Sequence, residues 1–363
     1  MKPYKFIISG GGTGGHLYPA IAIADKLKQT FPDTKILFVG AYGKMEMQQV
    51  PKAGYSIKGI WISGFQRGSF LKNMLFPFKL IVSFFQSVFI LLSFKPDFAI
   101  GTGGFASGPI LLISYYLKIK TLIQEQNSYP GITNKLLSKR VDHIGVAFEG
   151  LERFFPKHKI TITGNPIREA LVVSKNKRLL ACSYFNLDFS KRTLVVLGGS
   201  LGAKKINQII AAHLYLFSEL NIQLIWQCGK SYYDQYKKYN QHDSVQVHAF
   251  IQDMDLLYAA ADFLISRAGA SSISELAVIG KPVILIPSPN VADNHQLHNA
   301  QALAKTGGAL MLIENDIDQE FEKCVNLLLK IDEKLVQNEF VKFARPKATQ
   351  AIVDLIINNL NRN

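Results

Sequence analysis

The chain has 363 residues, which at roughly 100 to 200 residues per domain implies two domains; with 48% hydrophobic and 19% charged residues, each has material for a core. A small disulfide-stapled scaffold and a globally disordered chain are both excluded. Lys plus Arg number 41 against 27 Asp plus Glu, a formal net charge of +14 with a pI near 9.5, so an anionic partner is expected: nucleic acid, a phosphorylated substrate or anionic lipid.

The first predicted element is Phe6-Ile7-Ile8, a β-branched run too short for the core of an export signal. It is followed by Gly10-Gly11-Gly12-Thr13-Gly14-Gly15-His16 and by helical spacing from Ala20 to Leu27. Further strands are predicted at Lys35 to Val39, at Phe98 to Ile100 before Gly101-Thr102-Gly103-Gly104, at Lys120 to Ile123 and at Ile144 to Ala147. A second cycle opens with Arg192 to Leu197, then Gly198-Gly199-Ser200-Leu201-Gly202-Ala203 and a helix from about Lys205. Strands follow at Gln223 to Trp226, Val245 to Val247, Phe263 to Ile265 and Pro282 to Ile286. This alternation predicts an α/β fold with two Rossmann-like domains built on parallel sheets. The expected division is an N-terminal domain over 1–165, a C-terminal domain over 166–345 and a closing helix in 346–363, where Ile352, Leu355, Ile356 and Leu360 recur at helical spacing. Cys182, Cys228 and Cys324 stand far apart and form no CxxC or Cys/His spacing, so they read as reduced structural thiols of a cytosolic protein.

The apolar stretch Leu80 to Phe94 lies between Lys79 and Lys95. Its 15 residues fall short of the about 20 that a spanning helix needs, which disfavours a transmembrane segment. A core helix buried on both sides is one reading of it. Upstream, Phe65-Gln66-Arg67-Gly68-Ser69-Phe70-Leu71-Lys72-Asn73-Met74-Leu75-Phe76-Pro77-Phe78-Lys79 interleaves basic and large apolar residues. That pattern suits shallow insertion into anionic lipid, so peripheral docking is expected between Phe65 and Lys79.

Gly10, Gly12 and Gly15 satisfy GxGxxG between a strand and a helix, where backbone N–H groups can face a phosphate. A dinucleotide site also requires a carboxylate at the end of the second strand. That strand ends Phe38-Val39-Gly40-Ala41 and the next carboxylate, Glu46, lies past the expected place, which weakens a nicotinamide reading. Glycines at one such turn need mean no more than tight geometry, but three loops at strand ends point to a ligand-gripping cleft. After the strand Phe263 to Ile265, Ser266-Arg267-Ala268-Gly269-Ala270-Ser271-Ser272-Ile273-Ser274-Glu275 leads small residues into a helix. A phosphate can sit on the N–H groups near Ala270 to Ser272, with Glu275 one turn deeper on the ribose hydroxyls; an ordinary capped helix accounts for the same spacing. His16, at a helix N-terminus, would be held neutral and suits a general base, or else only ties down its own loop. No HExxH, GxxxxGK[ST] or DxD-like motif occurs, so metal-dependent chemistry has no support.

Gly10 to Ala20, Gly101 to Pro109, Glu125-Gln126-Asn127, Thr163-Gly164-Asn165-Pro166-Ile167-Arg168, Gly198 to Ala203 and Ser266 to Glu275 together resemble the MurG family of peptidoglycan N-acetylglucosaminyltransferases. The resemblance spans nearly the whole chain. It implies a GT-B architecture, two Rossmann-like domains with parallel sheets facing a deep inter-domain cleft. The implied reaction is inverting transfer of GlcNAc from UDP-GlcNAc to the 4-hydroxyl of MurNAc in undecaprenyl-diphospho-MurNAc-pentapeptide, lipid I to lipid II. It further implies work at the cytoplasmic face of the inner membrane as a peripheral protein, with the N-terminal half on the acceptor and the C-terminal half on the donor. Neither a cofactor nor nucleic acid is implied. Thr13, Gly14 and Gly15 would approach the donor diphosphate and sugar, Asn127 the GlcNAc, and Arg168 and Ser200 the diphosphate. The backbone of Ile251 would pair with uracil under Phe250. Gly269, Ala270, Ser271, Ser272, Ile273 and Ser274 would take phosphate and ribose, and Glu275 the ribose hydroxyls. His295 and Gln296 lie in the stretch that reads GlcNAc, Gln296 being the specificity candidate. His16 would be the base, and Arg168 would offset charge on the leaving UDP. Departures from the family pattern are Phe105 where Tyr is usual, Gln124 where His is frequent and Leu201 where Gln is frequent. Rival readings are a GT-B transferase with another lipid acceptor, a nucleic-acid-binding protein, which lacks any recognisable signature, and the weakened dehydrogenase.

Overall fold

The structure, a computed structural model, describes residues 3–64, 74–167, 171, 177–199, 201–291 and 294–360. The chain divides into two compact units, Met1–Ile167 with Lys347–Asn363, and Arg168–Pro346.

The first unit runs β1 (Lys5–Gly10), α1 (Gly14–Thr30), β2 (Lys35–Ala41), α2 (Glu46–Lys52), β3 (Ser56–Ile60), α3 (Phe76–Phe94), β4 (Phe98–Gly103), α4 (Ser107–Tyr116), β5 (Lys120–Glu125), β6 (His143–Val146) and β7 (Ile160–Ile162). These strands form one seven-stranded sheet in the order β3-β2-β1-β4-β5-β6-β7, parallel at every pairing. Successive strand side chains point to opposite faces, and β1 uses this twice. Phe6 and Ile8 pack with Leu17, Ile23 and Leu27 of α1 and with Ile352, Val353 and Ile356 of the C-terminal helix Ala348–Leu360. Ile7 enters the opposite layer with Val39, Ala99, Ile110 and Ile123. Covering both faces is what a parallel sheet requires, and it explains near-continuous apolar strands such as Phe98-Ala99-Ile100.

In the second unit β8 (Arg192–Leu197), β9 (Ile222–Gln227), β10 (Val245–His248), β11 (Phe263–Ser266), β12 (Val283–Leu285) and β13 (Ala309–Met311) pair in the order β10-β9-β8-β11-β12-β13. Two helices matter for the site, α5 (Ala270–Ile279) and α6 (His295–Ala304). Trp226 is fully buried and donates Nε1–H to Asn207 Oδ1 at 2.9 Å, so the largest core side chain has its polar edge satisfied. Strand order reverses beside β1 and beside β8, the points where such sheets open a crevice at their carboxyl ends.

The strands read from sequence are present, and so are three that were not: β3, β7 and β13 at the sheet edges. Helix α1 starts at Gly14 rather than near Ala20, which places His16 in its first turn. The reading of Leu80 to Phe94 as a helix buried on both sides is overturned. In α3 only Ser83, Ser87, Ile90 and Leu91 are buried, toward α4, while Phe78, Ile81, Phe85, Phe89 and Leu92 are more than half exposed. Those five recur at helical spacing and make one apolar outer face. At 19 residues α3 is long and apolar enough, by length and composition, to cross a bilayer, but its inner face belongs to this unit's core. The three cysteines are free and buried, and burial pushes the thiols of Cys228 and Cys324 up to about 11.

Candidate functional site

At the carboxyl end of β1 the chain turns through Gly11 and Gly12 into α1, whose N-cap is Thr13. Gly12 has φ +82°, a conformation that costs glycine little. Its N–H, expected to face a phosphate, instead donates to Glu46 Oε2 at 2.9 Å. Glu46 is fully buried, and its Oε1 accepts from Ala41 N–H at 3.0 Å. His16 Nδ1 lies 3.2 Å from Gly11 O and 3.3 Å from Thr13 Oγ1. Thr102 of the second loop donates its hydroxyl to His16 O at 2.8 Å, so the two glycine loops are joined at the histidine. Gly103 (φ +97°) follows, and a Cβ there would stand 2.8 Å from the His16 ring. Thr13, Gly14, Gly15 and His16, consecutive at the start of α1, therefore lie beside Gly103 at the carboxyl ends of β1 and β4.

Asn127 projects from the end of β5. Its N–H and Nδ2 donate to Glu125 Oε1 at 3.0 and 3.2 Å; Gly131 N–H and Asn134 Nδ2 take Glu125 Oε2 at 3.1 and 2.8 Å. Glu125 is 1% exposed, and four N–H donors satisfy a carboxylate that would otherwise be costly to bury. Gln124, where the family pattern has His, is fully buried, donates to Asn165 Oδ1 at 2.9 Å and accepts from Gln126. A Cβ on Gly12 or on Gly64 would stand 3.2 Å from the Phe105 ring.

In the second unit Gly199 and Gly202 both have positive φ, and a Cβ on Gly202 would stand 2.1 Å from Cys228 O. Only glycine admits that approach. Gln227, at the end of β9, spans two loops: its Nε2 donates to Gly199 O at 3.3 Å and its Oε1 accepts Ile251 N–H at 2.9 Å. The Ile251 N–H, expected to meet uracil, is thus engaged by Gln227. Phe250 is 40% exposed with Lys230 Nζ over its ring at 5.6 Å. Beside them opens a cavity of about 810 Å³, lined by Tyr184, Asn186, Lys230, His248, Phe250 and Ile251. Burial holds His248 below its ordinary range, so it is neutral there near pH 7.

Helix α5 begins at Ala270 with Gly269 as N-cap, so Ala270, Ser271 and Ser272 form the first turn, whose N–H groups and dipole favour an anion. Ser274 donates its hydroxyl to Ala270 O at 3.1 Å. Glu275 stands one turn in, where its Oε2 accepts from the buried Tyr258 hydroxyl at 2.9 Å. His295 and Gln296 open α6, and Gln296 Oε1 accepts Ser288 N–H at 2.9 Å. Sequence reasoning missed Arg267: it pairs with Glu314 at 3.0 Å and donates to Ile286 O at 3.1 Å, fixing the loop between β11 and α5. A cation inside a glycine and serine run was the available signal. Arg168, Ser200 and the stretch from Phe65 to Asn73 lie outside the described residues. Among the described residues no group of three or more His, Cys, Asp or Glu side chains is placed to hold a metal ion.

Residues 6–146 match the glycosyltransferase family 28 N-terminal domain and residues 193–355 the glycosyltransferase family 28 C-terminal domain. A UDP-N-acetylglucosamine–N-acetylmuramyl-(pentapeptide) pyrophosphoryl-undecaprenol N-acetylglucosamine transferase of Flavobacterium psychrophilum is 56% identical over 359 residues, 98% of each chain. A transferase of the same name from Christiangramia forsetii is 52% identical, again over 98% of each chain. Among solved structures, Acinetobacter baumannii MurG superposes with a TM-score of 0.79 at 28% identity, covering 98% of this chain and 100% of that one.

Proposed function

The chain belongs to glycosyltransferase family 28, and from that membership we propose that it moves GlcNAc from UDP-GlcNAc to the 4-hydroxyl of MurNAc in undecaprenyl-diphospho-MurNAc-pentapeptide. The observation that carries this is the 56% identity over 98% of both chains with a transferase named for that reaction. Likeness of fold alone would not suffice, because a UDP-GlcNAc 2-epimerase also superposes with a TM-score of 0.61 at 14% identity.

The reaction is a single inverting displacement. The acceptor oxygen bonds to the anomeric carbon, its proton passes to a base, and the electrons of the breaking C1–O bond leave with UDP. His16 is the base: Gly11 O, 3.2 Å from Nδ1, can only accept, and with the proton on Nδ1 in that contact Nε2 is the basic nitrogen. Asn127 reaches the sugar from a support locked by Glu125. On the donor side, the α5 N-terminus with Gly269, Ser271 and Ser272 faces the diphosphate, Glu275 takes the ribose hydroxyls, and Phe250 with the backbone carbonyl of Ile251, whose N–H is held by Gln227, holds uracil. Gln296 reads GlcNAc through its amide hydrogens. Arg168 and Ser200 take part in diphosphate binding, the guanidinium offsetting leaving-group charge.

A water-soluble donor and a polyprenyl acceptor meet only at a membrane surface, so the protein works as a peripheral protein at the cytoplasmic face of the inner membrane. Docking runs through the segment between Phe65 and Lys79 and continues along the exposed face of α3. Its support is the row Phe78, Ile81, Phe85, Phe89 and Leu92, together with Lys79 beside Trp61 and the net charge of +14.

The test is UDP release from UDP-GlcNAc with a short-chain lipid I analogue and EDTA, against UDP-GalNAc and UDP-glucose. Release that needs the acceptor and prefers GlcNAc supports the assignment. Tight donor binding without release would point to a different lipid acceptor.

A further inference from the structure

Glu46 has no part in the chemistry described so far, yet its carboxylate is fully buried with neutral partners. Its surroundings are built for it. Gly11 has no room for a Cβ, which would stand 2.4 to 2.7 Å from the Glu46 carboxyl group, and a Cβ on Gly40 would stand 2.4 Å from Glu46 Cγ. The carboxylate then bridges Gly12 N–H at 2.9 Å and Ala41 N–H at 3.0 Å. In a GxGxxG loop that N–H would serve a ligand phosphate; here the protein supplies its own anion.

The peptide unit between Gly11 and Gly12 is therefore held at both ends. Its N–H points to Glu46 Oε2, and its carbonyl oxygen lies 3.2 Å from His16 Nδ1. A third side is closed by Gly104 (φ +85°), where a Cβ would approach Gly11 O to 2.3 Å. We infer that Glu46 is a positioning residue for His16, acting through the Gly11–Gly12 peptide in a carboxylate–peptide–imidazole relay. An anion on the N–H end polarises the peptide and makes its carbonyl a stronger acceptor. That favours Nδ1–H over the alternative in which the Thr13 hydroxyl, 3.3 Å away, donates to Nδ1. Nε2 then carries the lone pair, and the imidazolium formed on proton uptake is stabilised through the same bond. The catalytic consequence rests on the reading of His16 as base; the tautomer does not. Tyr18, Tyr42 and Lys44, the other titratable groups on the adjoining segments, are exposed and unchanged in the variants below.

The test uses the full-length protein with Glu46→Gln, and Gly11→Ala as a second variant that displaces the carboxylate sterically while leaving it charged. Imidazole ¹⁵N spectra of the wild type should show the Nδ1–H tautomer at His16, and both variants should lose that preference and titrate His16 at lower pH. Turnover should fall tenfold to a hundredfold, the acidic limb of the kcat profile should move to lower pH, and the KM for UDP-GlcNAc should hold. In a His16→Ala background Glu46→Gln should cost nothing further. An unchanged His16 tautomer and titration in both variants would overturn the relay. A changed tautomer with wild-type turnover in His16→Ala would leave the relay standing and remove the base reading. If Glu46→Gln fails to fold, Gly11→Ala with unaltered His16 spectra is enough to reject the inference.

Discussion

The outer face of α3 gives the sharpest quantitative expectation. Phe85 is 73% and Phe89 71% exposed, so replacing them with serine removes little from the folded unit, while a membrane-bound state would lose most of two phenylalanine burials. Fully burying such a side chain is worth about 1.5 to 3 kcal/mol; scaled by about 0.7 this is about 1 to 2 kcal/mol each. The pair therefore contributes about 2 to 4 kcal/mol, or roughly 30- to 700-fold in partition at about 1.4 kcal/mol per decade. Sedimentation with vesicles containing anionic lipid should show a loss of that size for Phe85→Ser/Phe89→Ser, with an unchanged melting temperature and unchanged UDP-GlcNAc binding. Vesicle binding equal to wild type would refute the docking face. A large drop in melting temperature would instead mean that these rings pack in the folded protein.

Four further outcomes follow. Glu275→Gln should raise the KM for UDP-GlcNAc roughly tenfold or more, as expected for hydrogen bonds to a charged group worth about 1.5 to 3 kcal/mol, whereas Tyr258→Phe, which leaves the carboxylate in place, should change it far less; equal effects in donor titrations would move Glu275 out of the ribose site. Arg267→Met leaves Glu314 unpaired at 18% side-chain exposure and should destabilise the protein by about 3 to 5 kcal/mol in urea unfolding; a change under 1 kcal/mol would mean the loop is held otherwise. Gly202→Ala must move the Cys228 carbonyl or the loop itself and should weaken donor binding measured calorimetrically, while unchanged affinity would uncouple that loop from the donor. Burial raises the thiols of Cys228 and Cys324 to about 11, so the folded protein should resist iodoacetamide at pH 8 and label once unfolded. The same sign makes their contribution to stability full below the unfolded thiol value, near 8.5, and lost as pH climbs toward 11; labelling of the folded protein at pH 8 would contradict it.

Much of this was legible because parallel strands buried on both faces read as continuous apolar runs, and β1, β4, β8 and β11 are of that kind. Strands β7 and β13 have only three residues each, and β3 contains Lys58 and Gly59 at a sheet edge; such segments carry no pattern until a neighbour supplies hydrogen bonds. Helix α3 misled because its composition is apolar all round, and composition does not say which face meets the domain. Motif spacing located Thr13, His16, Gly269 and Glu275 at strand ends and helix starts. It did not reveal that Glu46, Glu125, Gln227 and Arg267 hold those loops in place, since each acts on residues of another segment and depends on the fold to bring them together. Glu46 stood in view as a misplaced ribose ligand, and the fold turns it under the loop instead.

The measurement that bears most directly on the central claim is the NMR structure of the product made from UDP-GlcNAc and a lipid I analogue. The account predicts one new GlcNAc on O4 of MurNAc, with the large trans-diaxial anomeric coupling of a β linkage and one UDP released per bond formed. An α linkage, attachment at another hydroxyl, or UDP release with free GlcNAc and unmodified acceptor would contradict it.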